Sequence, residues 1–397
     1  MTSKASKKTM KQINRALILR RIYDCSGIDR ASLAKLTSLS PATVTNIVGE
    51  LIRERLVEEK GVAESTGGRR PILLNINPTR YLSVGMKIGV GYLDYTLFDL
   101  LGNPVAADRV IIDGEPPQAV VDKTAEIIDG WRRGYGDSIL GMGIAVSGLV
   151  DTTTGTIKNS FLLGWKDVPM GKMLSEACRI KTVVMNDADS FALAQFLKGR
   201  AREYRNCVFL TLGVGIGGAL AIDGKLHTSS AGVGEFGHMA INRDGETCSC
   251  GSSGCLEAYI SFYALARKVS QSTSSQELRD LYSHTRATET SEMDYLKRAL
   301  VEDPVTVQAV FMNMSSNLGV ALKNLINMFA PEYLLIGGEA LDFSDLFLED
   351  AIAYARENAF LGLADNVVFD VDELGEPAWS LGCAFRIIES ELFSVKR

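Results

Sequence analysis

The chain of 397 residues contains only 3 His and 7 Cys, and no uninterrupted apolar run approaches the roughly 20 residues that a membrane-spanning helix requires. The missing apolar run argues against a helical membrane protein. The sparse cysteines argue against a disulfide-built secreted fold. Three of them crowd into eight positions and the other four are scattered, so no framework of pairs exists, and a reducing cytoplasm is the expected compartment. Lys4, Lys7, Lys8 and Lys11 are not followed by an apolar segment, so the start of the chain does not read as a signal peptide. What the chain does have is core: 46% hydrophobic and 23% charged residues. Its length exceeds one ordinary core, which points to two or three domains.

The crowded cysteines are Cys248, Cys250 and Cys255, spaced C-x-C-x4-C, with His238 shortly upstream. Zn²⁺ favours four ligands of thiolate and imidazole type in tetrahedral closure, and a Cys3His set fits a structural site with no open position. Gly251 and Gly254 allow the tight turns that would aim three sulfurs at one point. The competing reading is three unrelated buried thiols, since free cysteine packs as a small hydrophobe. The pattern favours a structural zinc ion that organises a loop.

Charge is divided unevenly. Residues 1–70 carry 14 Lys+Arg against 7 Asp+Glu, a net of +7, and the remainder of the chain carries −13. A basic head on an acidic body suggests that only the head meets a polyanion. Residues 12–26 place Ile13, Leu17, Ile18, Ile22 and Tyr23 on a helical stripe that Gly27 ends. Asp29 or Ser32 can cap a second short helix with Leu33, Ala34 and Leu36. Ser40 then caps a third, with Pro41 at its first position and Val44, Ile47, Val48 and Leu51 turned inward. Ser40, Ala42, Thr43, Thr45 and Asn46 at its leading end are small or polar groups suited to base edges and phosphates, the layout of a helix-turn-helix. Residues 56–59 and 71–76 read as two strands of a wing, with Arg69 and Arg70 at a glycine-rich tip able to enter a minor groove. A small helical bundle making protein contacts is the alternative; the agreement of tip, helix and charge favours double-stranded DNA.

From residue 81 strands alternate with helices: 81–88, 91–99 with a hairpin turn at Gly102-Asn103, a helix near 118–132, a strand at 141–146, a strand at 182–185, a helix at 188–198, a hairpin of 207–212 with 218–222, a long helix at 305–329 and a buried strand at 333–336. This is an α/β pattern in two lobes. Residues 261–305, with Phe262, Tyr263, Leu265, Leu281 and Tyr282, are expected to serve packing or a dimer contact.

These residues resemble the ROK family, which groups sugar-responsive repressors and sugar kinases on an actin-like, two-lobed ATPase scaffold. The most specific signatures are Glu235-Phe236-Gly237-His238 and the run from Cys248 to Glu257. Gly213 to Gly218, Asn186-Asp187-Ala188 and Ile336-Gly337-Gly338 support them. The resemblance spans nearly the whole chain and includes the winged helix that the repressor branch carries and the kinases lack. It implies a winged helix-turn-helix at 1–78, a ROK N-terminal lobe at 79–185 completed by a C-terminal helix at 380–397, and a C-terminal lobe at 186–379 with the zinc loop. It also implies a sugar between the lobes, met by Ser147, Gly148, Asn159, Asn186, Asp187, Glu235, His238 and Glu257. Carboxylates fix sugar hydroxyls by charge-assisted hydrogen bonds, and an analogue lacking a hydroxyl leaves a buried group unpaired. His238 would give one ring nitrogen to zinc and offer the other to the sugar. Plainer readings stand beside these: Asp187 as a helix N-cap, Glu235 as a surface carboxylate, Trp165 as core.

Kinase and repressor separate at the nucleotide elements. The family's first phosphate loop carries Asp followed by Gly-Gly-Thr, where this chain has Lys87-Ile88-Gly89-Val90-Gly91-Tyr92. In the second loop the family's threonine is Val214 and its last glycine is Ala219. Losing the acid and both hydroxyls removes what phosphoryl transfer needs. The expectation is a non-enzyme that does not use ATP: a repressor of carbohydrate-utilisation genes, binding operator DNA as a homodimer or homotetramer and answering a small sugar. An ATP-dependent sugar kinase is the alternative.

Overall fold

The computed structural model describes residues 7–25, 27–62, 71–112, 114–228, 232–285 and 291–394. Two compact units account for the chain: Met1–Ala145 with Met170–Val184 and Cys383–Arg397, and Val146–Pro169 with Met185–Gly382.

The first unit begins with α1 (Lys7–Cys25), α2 (Arg30–Thr37) and α3 (Pro41–Arg53). The buried stripe of α1 is Ile18, Leu19, Ile22 and Tyr23. The expected stripe is shifted by this result, since Ile13 lies 40% exposed and Leu19 takes an inward place. Asp29 caps α2 by accepting from the backbone N–H groups of Ala31 and Ser32, and Ser38 closes it in the left-handed region. Ser40 caps α3, accepting from Thr43 N at 3.2 Å, with Pro41 at the first helical position. The inward residues of α3 are Val44, Ile47, Val48 and Leu51, as the 3.6-residue period requires. Lys11 to Glu50 and Arg15 to Glu54, each 2.6 Å, tie α1 to α3. Being exposed, each pair contributes about 1 kcal/mol at most. Two strands follow, β1 (Val57–Val62) and β2 (Ile72–Ile76), paired antiparallel from Val57–Ile76 to Val62–Ile72.

The main sheet of this unit has the order β10-β6-β3-β4-β5, from β3 (Leu82–Ile88), β4 (Tyr92–Asp99), β5 (Pro104–Ile111), β6 (Ile139–Val146) and β10 (Lys181–Asn186). Every residue of β3 is buried, including Lys87. The helices α4 (Pro117–Tyr135) and α5 (Met170–Cys178) pack on each other. The C-terminal residues complete the unit. Gly143 carries no side chain because a Cβ there would overlap the Cys383 carbonyl. Phe385 and the last turn, Glu389–Phe393, grip α1: Tyr23 stacks on Phe385 with centroids 5.7 Å apart and meets the edge of Phe393 at 5.2 Å. Arg20 lies over the Phe385 and Phe393 rings and pairs with Glu389 at 3.1 Å. Aromatic and cation–π contacts of this kind contribute about 1 kcal/mol each.

The second unit holds a three-stranded sheet, β7 (Leu149–Asp151), β8 (Thr156–Ser160) and β9 (Trp165–Val168), which the sequence pattern did not announce because its strands are only three to five residues long. Trp165 is buried within it. Its larger sheet runs β13-β12-β11-β14-β15, from β11 (Cys207–Leu212), β12 (Ile216–Ile222), β13 (Lys225–Leu226), β14 (Tyr333–Gly337) and β15 (Val368–Val371). The β11–β12 hairpin is antiparallel, and β11–β14 and β14–β15 are parallel. Helix α6 (Asp187–Leu197) packs on β11 and β12. Beyond the Cys/His segment come α7 (Glu257–Ile260), α8 (Phe262–Ser272), α9 (Gln276–Thr285), α10 (Glu292–Glu302), α11 (Pro304–Phe329) and α12 (Leu348–Asn358), and α13 (Pro377–Ile388) leads back to the first unit. One apolar core joins α8, α10, α11 and α12 to β11, β12 and β14. Phe262 and Leu265 lie inside that core with Leu281 and Tyr282 against it, so packing accounts for them; Tyr263 is 38% exposed.

Candidate metal centre and acidic cluster

The residues between His238 and Glu257 form few regular elements, and their backbone is held by a ladder of turns. Cys248 N donates to Ser252 O at 2.8 Å, Gly251 N to Cys248 O at 3.0 Å, Gly254 N to Glu246 O at 2.8 Å, and Leu256 N to Met239 O at 2.9 Å. Gly254 has φ +76°, and a Cβ there would overlap the Asn242 carbonyl oxygen. That position admits glycine alone. The consequence is convergence. The donor atoms of His238, Cys248, Cys250 and Cys255 all lie within 4.8 Å of one another. Cys248 Sγ is 3.6 Å from His238 Nδ1, and Cys250 Sγ is 3.8 Å from Cys255 Sγ. Cys248 and Cys255 are buried, and burial followed by the neighbouring thiols pushes Cys255 up to about 12. A thiol so placed keeps its proton until a cation replaces it, and a set of three sulfurs and one imidazole at this spacing could hold a metal ion. The segment is anchored to α8: Glu246 pairs with Lys268 at 2.6 Å and Arg267 at 3.2 Å, and the Lys268 hydrogen bond holds the Glu246 carboxyl below its usual range.

Ser249, between two of the thiols, donates to Glu257 Oε1 at 3.0 Å, and Glu257 Oε2 accepts from Ile216 N at 3.2 Å. Glu257 therefore joins the Cys/His segment to the start of β12. Ser249 was not singled out in the sequence; its position inside C-x-C was the available signal. Glu235 precedes the short turn Phe236–His238. The residue reaches solvent, yet partial burial of its carboxyl raises its pKa, the Asp187 and Glu257 carboxylates add to the rise, and His238 opposes it.

The other half of the cluster is built at the end of β10. Asn186, rather than Asp187, is the N-cap of α6: its Oδ1 accepts from Ala188 N at 2.8 Å and Asp189 N at 3.2 Å. Asp187 occupies the first helical position instead, one residue later than a cap stands. Asn186 Nδ2 donates to Gly148 O at 3.0 Å. Gly148 has φ +112°, and a Cβ there would overlap the carbonyl of Asn159 on β8, so Ser147-Gly148 and Asn159 lie on adjoining backbone. Ser147, Gly148, Asn159, Asn186 and Asp187 thus form one connected group, Glu235, His238 and Glu257 another, and the electrostatic influence of Asp187 on Glu235 links the two.

On α3, Ala42, Thr45 and Asn46 are exposed, and Thr43 is half-buried with its hydroxyl 2.9 Å from Ser40 Oγ. Arg69 and Arg70 lie outside the described residues. Among the described cations of the head, Lys11, Arg15 and Arg30 are already paired with Glu50, Glu54 and Glu59.

Three helices with a two-stranded ribbon, followed by α/β units and a Cys/His cluster beside converging carboxylates, define a winged helix-turn-helix protein on an actin-like ATPase scaffold. The ROK family matches residues 83–384, beginning after the helices and ribbon. The chain is 31% identical over 96% of its length to the xylose repressor of Caldicellulosiruptor bescii, covering 97% of that protein. It belongs to the ROK family. Among solved structures, a ROK family transcriptional regulator described as a homolog of the E. coli MLC protein superposes with a TM-score of 0.80 at 25% identity, covering 97% of this chain and 98% of that one. A ROK family glucokinase from Streptomyces griseus, in complex with glucose and AMPPNP, gives a TM-score of 0.64 at 25% identity over 76% of this chain and 98% of its own. Among the described residues no helix is long and apolar enough to cross a membrane.

Proposed function

We propose that the protein is a sugar-responsive transcriptional repressor, with a winged helix-turn-helix at 1–78 gripping operator DNA and a ROK body, 79–185 with 380–397 and 186–379, reporting the presence of a sugar. The observation that carries this reading is the pairing of a DNA-type head with a body whose polar groups converge on one acidic cluster. Ser40, Ala42, Thr43, Thr45 and Asn46 would face base edges and phosphates, with Arg69 and Arg70 in the minor groove. The protein acts in the cytoplasm as a homodimer or homotetramer, so that two heads meet successive faces of the duplex.

Ser147, Gly148, Asn159, Asn186, Asp187, Glu235, His238 and Glu257 are the proposed sugar contacts. Asp187, Glu235 and Glu257 supply acceptors, and the hydroxyl pattern of the sugar sets specificity because each unmatched group is left buried without a partner. The Asn186 amide also serves the α6 cap and Gly148, which holds Asp187 and the 147–148 turn in register and leaves one Nδ2 hydrogen for the sugar. The Cys/His set suits structural Zn²⁺. Tetrahedral geometry with Zn–S of about 2.3 Å and Zn–N of about 2.0 Å places ligand atoms about 3.8 Å apart for S···S and about 3.5 Å for S···N. The observed 3.8 Å and 3.6 Å match these edges. The ion would fix the loop that carries Ser249, Glu257 and the His238 ring, leaving Nε2 for the sugar.

Binding, rather than phosphoryl transfer, is favoured by the phosphate loops. The Tyr92 ring covers Gly89 in the first, and the Lys87 and Arg109 cations flank that ring. In the second, the Glu339 carboxylate lies against Gly213, setting an anion where a phosphate would need donors. A bound sugar would shift a population between two conformations of unequal operator affinity, and only by its differential affinity for them. Titration of the purified protein with D-xylose, D-glucose and N-acetyl-D-glucosamine, alone and with ATP, together with operator shift assays, tests the reading. Saturable sugar binding that changes operator occupancy supports it; ATP turnover with any of these sugars returns it to a kinase. In the same assay Arg69→Ala and Arg70→Ala should weaken operator binding across sequences and lower the salt slope by about 1 each; an unchanged slope removes the wing from the interface.

A further inference from the structure

Helix α6 carries a carboxyl that the sugar reading leaves unused. Asp189 is 7% exposed, and its Oδ1 is enclosed with no hydrogen-bond partner. The charged groups that influence it are Asp187 from its own helix and Glu235 from the segment before His238, both negative. The strands packed on α6 bring no compensating cation. β11 and β12 contain no Lys, Arg, His, Asp or Glu, and the one titratable side chain there, Cys207, is held protonated by burial, pushed up to about 12. β13 contributes Lys225, which is exposed. The short turn Arg200–Glu203 contributes Arg200, paired with Asp370 at 2.8 Å, along with Arg202 and Glu203. Burial first, then the two carboxylates, push Asp189 up to about 7. Of these carboxyls Asp189 is the enclosed one, and the charges that act on it are both negative, so it is the one that keeps its proton.

Granted the sugar site proposed above, we propose that Asp189 is a positioning residue of that site: enclosed and neutral, it holds the first turn of α6 and with it Asp187 in place, and the sugar response fades as the solution becomes alkaline. The direction follows from linkage. Asp189 binds its proton more tightly in the folded chain than in the unfolded one, where its ordinary value is 3.8. Its stabilising contribution is therefore complete below that value and is lost as pH rises through about 7. An enclosed charge at Asp189 then loosens the first turn of α6, where Asp187 stands.

Asp189→Asn keeps the shape and hydrogen-bonding ends of a neutral carboxyl and cannot ionise. On the full chain, the wild-type melting temperature should fall relative to Asp189→Asn as pH rises, and the dissociation constant for whichever of D-xylose, D-glucose or N-acetyl-D-glucosamine binds should rise about tenfold between about pH 6 and pH 8 in wild type only. Asp189→Ser, also unable to ionise, repeats the comparison if the asparagine variant folds poorly. Parallel pH profiles in wild type and variants overturn the proposal. If none of the three sugars binds at any pH, the sugar reading fails, while the melting curves still decide whether Asp189 is held neutral: a gap that does not widen with pH refutes it.

Discussion

Cys255→Ser should abolish stoichiometric zinc in the purified protein, measured by elemental analysis, and with it the sugar-induced change in operator occupancy, while operator binding without sugar persists. The reason is geometric. Cys255 is 1% exposed, faces Cys250 across 3.8 Å, and is followed by Leu256 and Glu257, the carboxylate that holds Ser249 Oγ and Ile216 N. Replacing one of four ligands with a hydroxyl leaves three donors and an unpaired buried polar group. Structural zinc sites are held by about 10–16 kcal/mol of apparent binding free energy at neutral pH, so a broken set releases both the ion and the loop it closes. Cys207→Ser and Cys383→Ser alter buried thiols that are not members of this set and serve as controls that should keep the metal. Wild-type sugar affinity in a metal-free Cys255→Ser protein would remove the ion from the mechanism.

Glu235→Ala should eliminate the sugar response with operator affinity within about twofold of wild type, since the residue lies in the second unit and the head in the first. A charge-assisted hydrogen bond to a hydroxyl contributes about 1.5–3 kcal/mol, so affinity for the sugar should drop about tenfold to more than a hundredfold. Glu235→Gln separates charge from shape. It keeps an acceptor but removes the negative charge that Asp187 and Glu257 oppose, so it should retain part of the affinity. Calorimetric titration of both variants against the same sugars decides the matter, and equal affinity of Glu235→Ala and wild type would take Glu235 out of the site.

The parts of the molecule legible in the sequence are those set by neighbours along the chain. Ser40-Pro41 announced the start of α3, and Val44, Ile47, Val48 and Leu51 announced its inward face, because capping and the helical period act within one or two turns. The same rule misjudged α1. Ile13 matched the stripe but lies 40% exposed, whereas Leu19 is buried. The cap of α6 fell to Asn186 instead of Asp187, a one-residue difference that local propensity does not resolve, since both types cap well. The short strands β7, β8 and β9 left no period long enough to read, although Gly148 and Asn159 within and beside them were marked as candidates.

The sequence by itself determined the order of head and body, the uneven charge, the C-x-C-x4-C spacing with its histidine, and the residues Lys87 to Tyr92 and Gly213 to Ala219 that the comparison with kinases turns on. Each of these is a property of residue type and separation along the chain. Only the tertiary structure decided that four metal-type donors separated by up to 17 positions stand within 4.8 Å, that Ser249 connects them to Glu257, and that Asp189 is enclosed under the influence of two carboxylates. Proximity between segments and removal from water are created by packing, and they are what turn a list of polar residues into a site with its own charge and proton affinity.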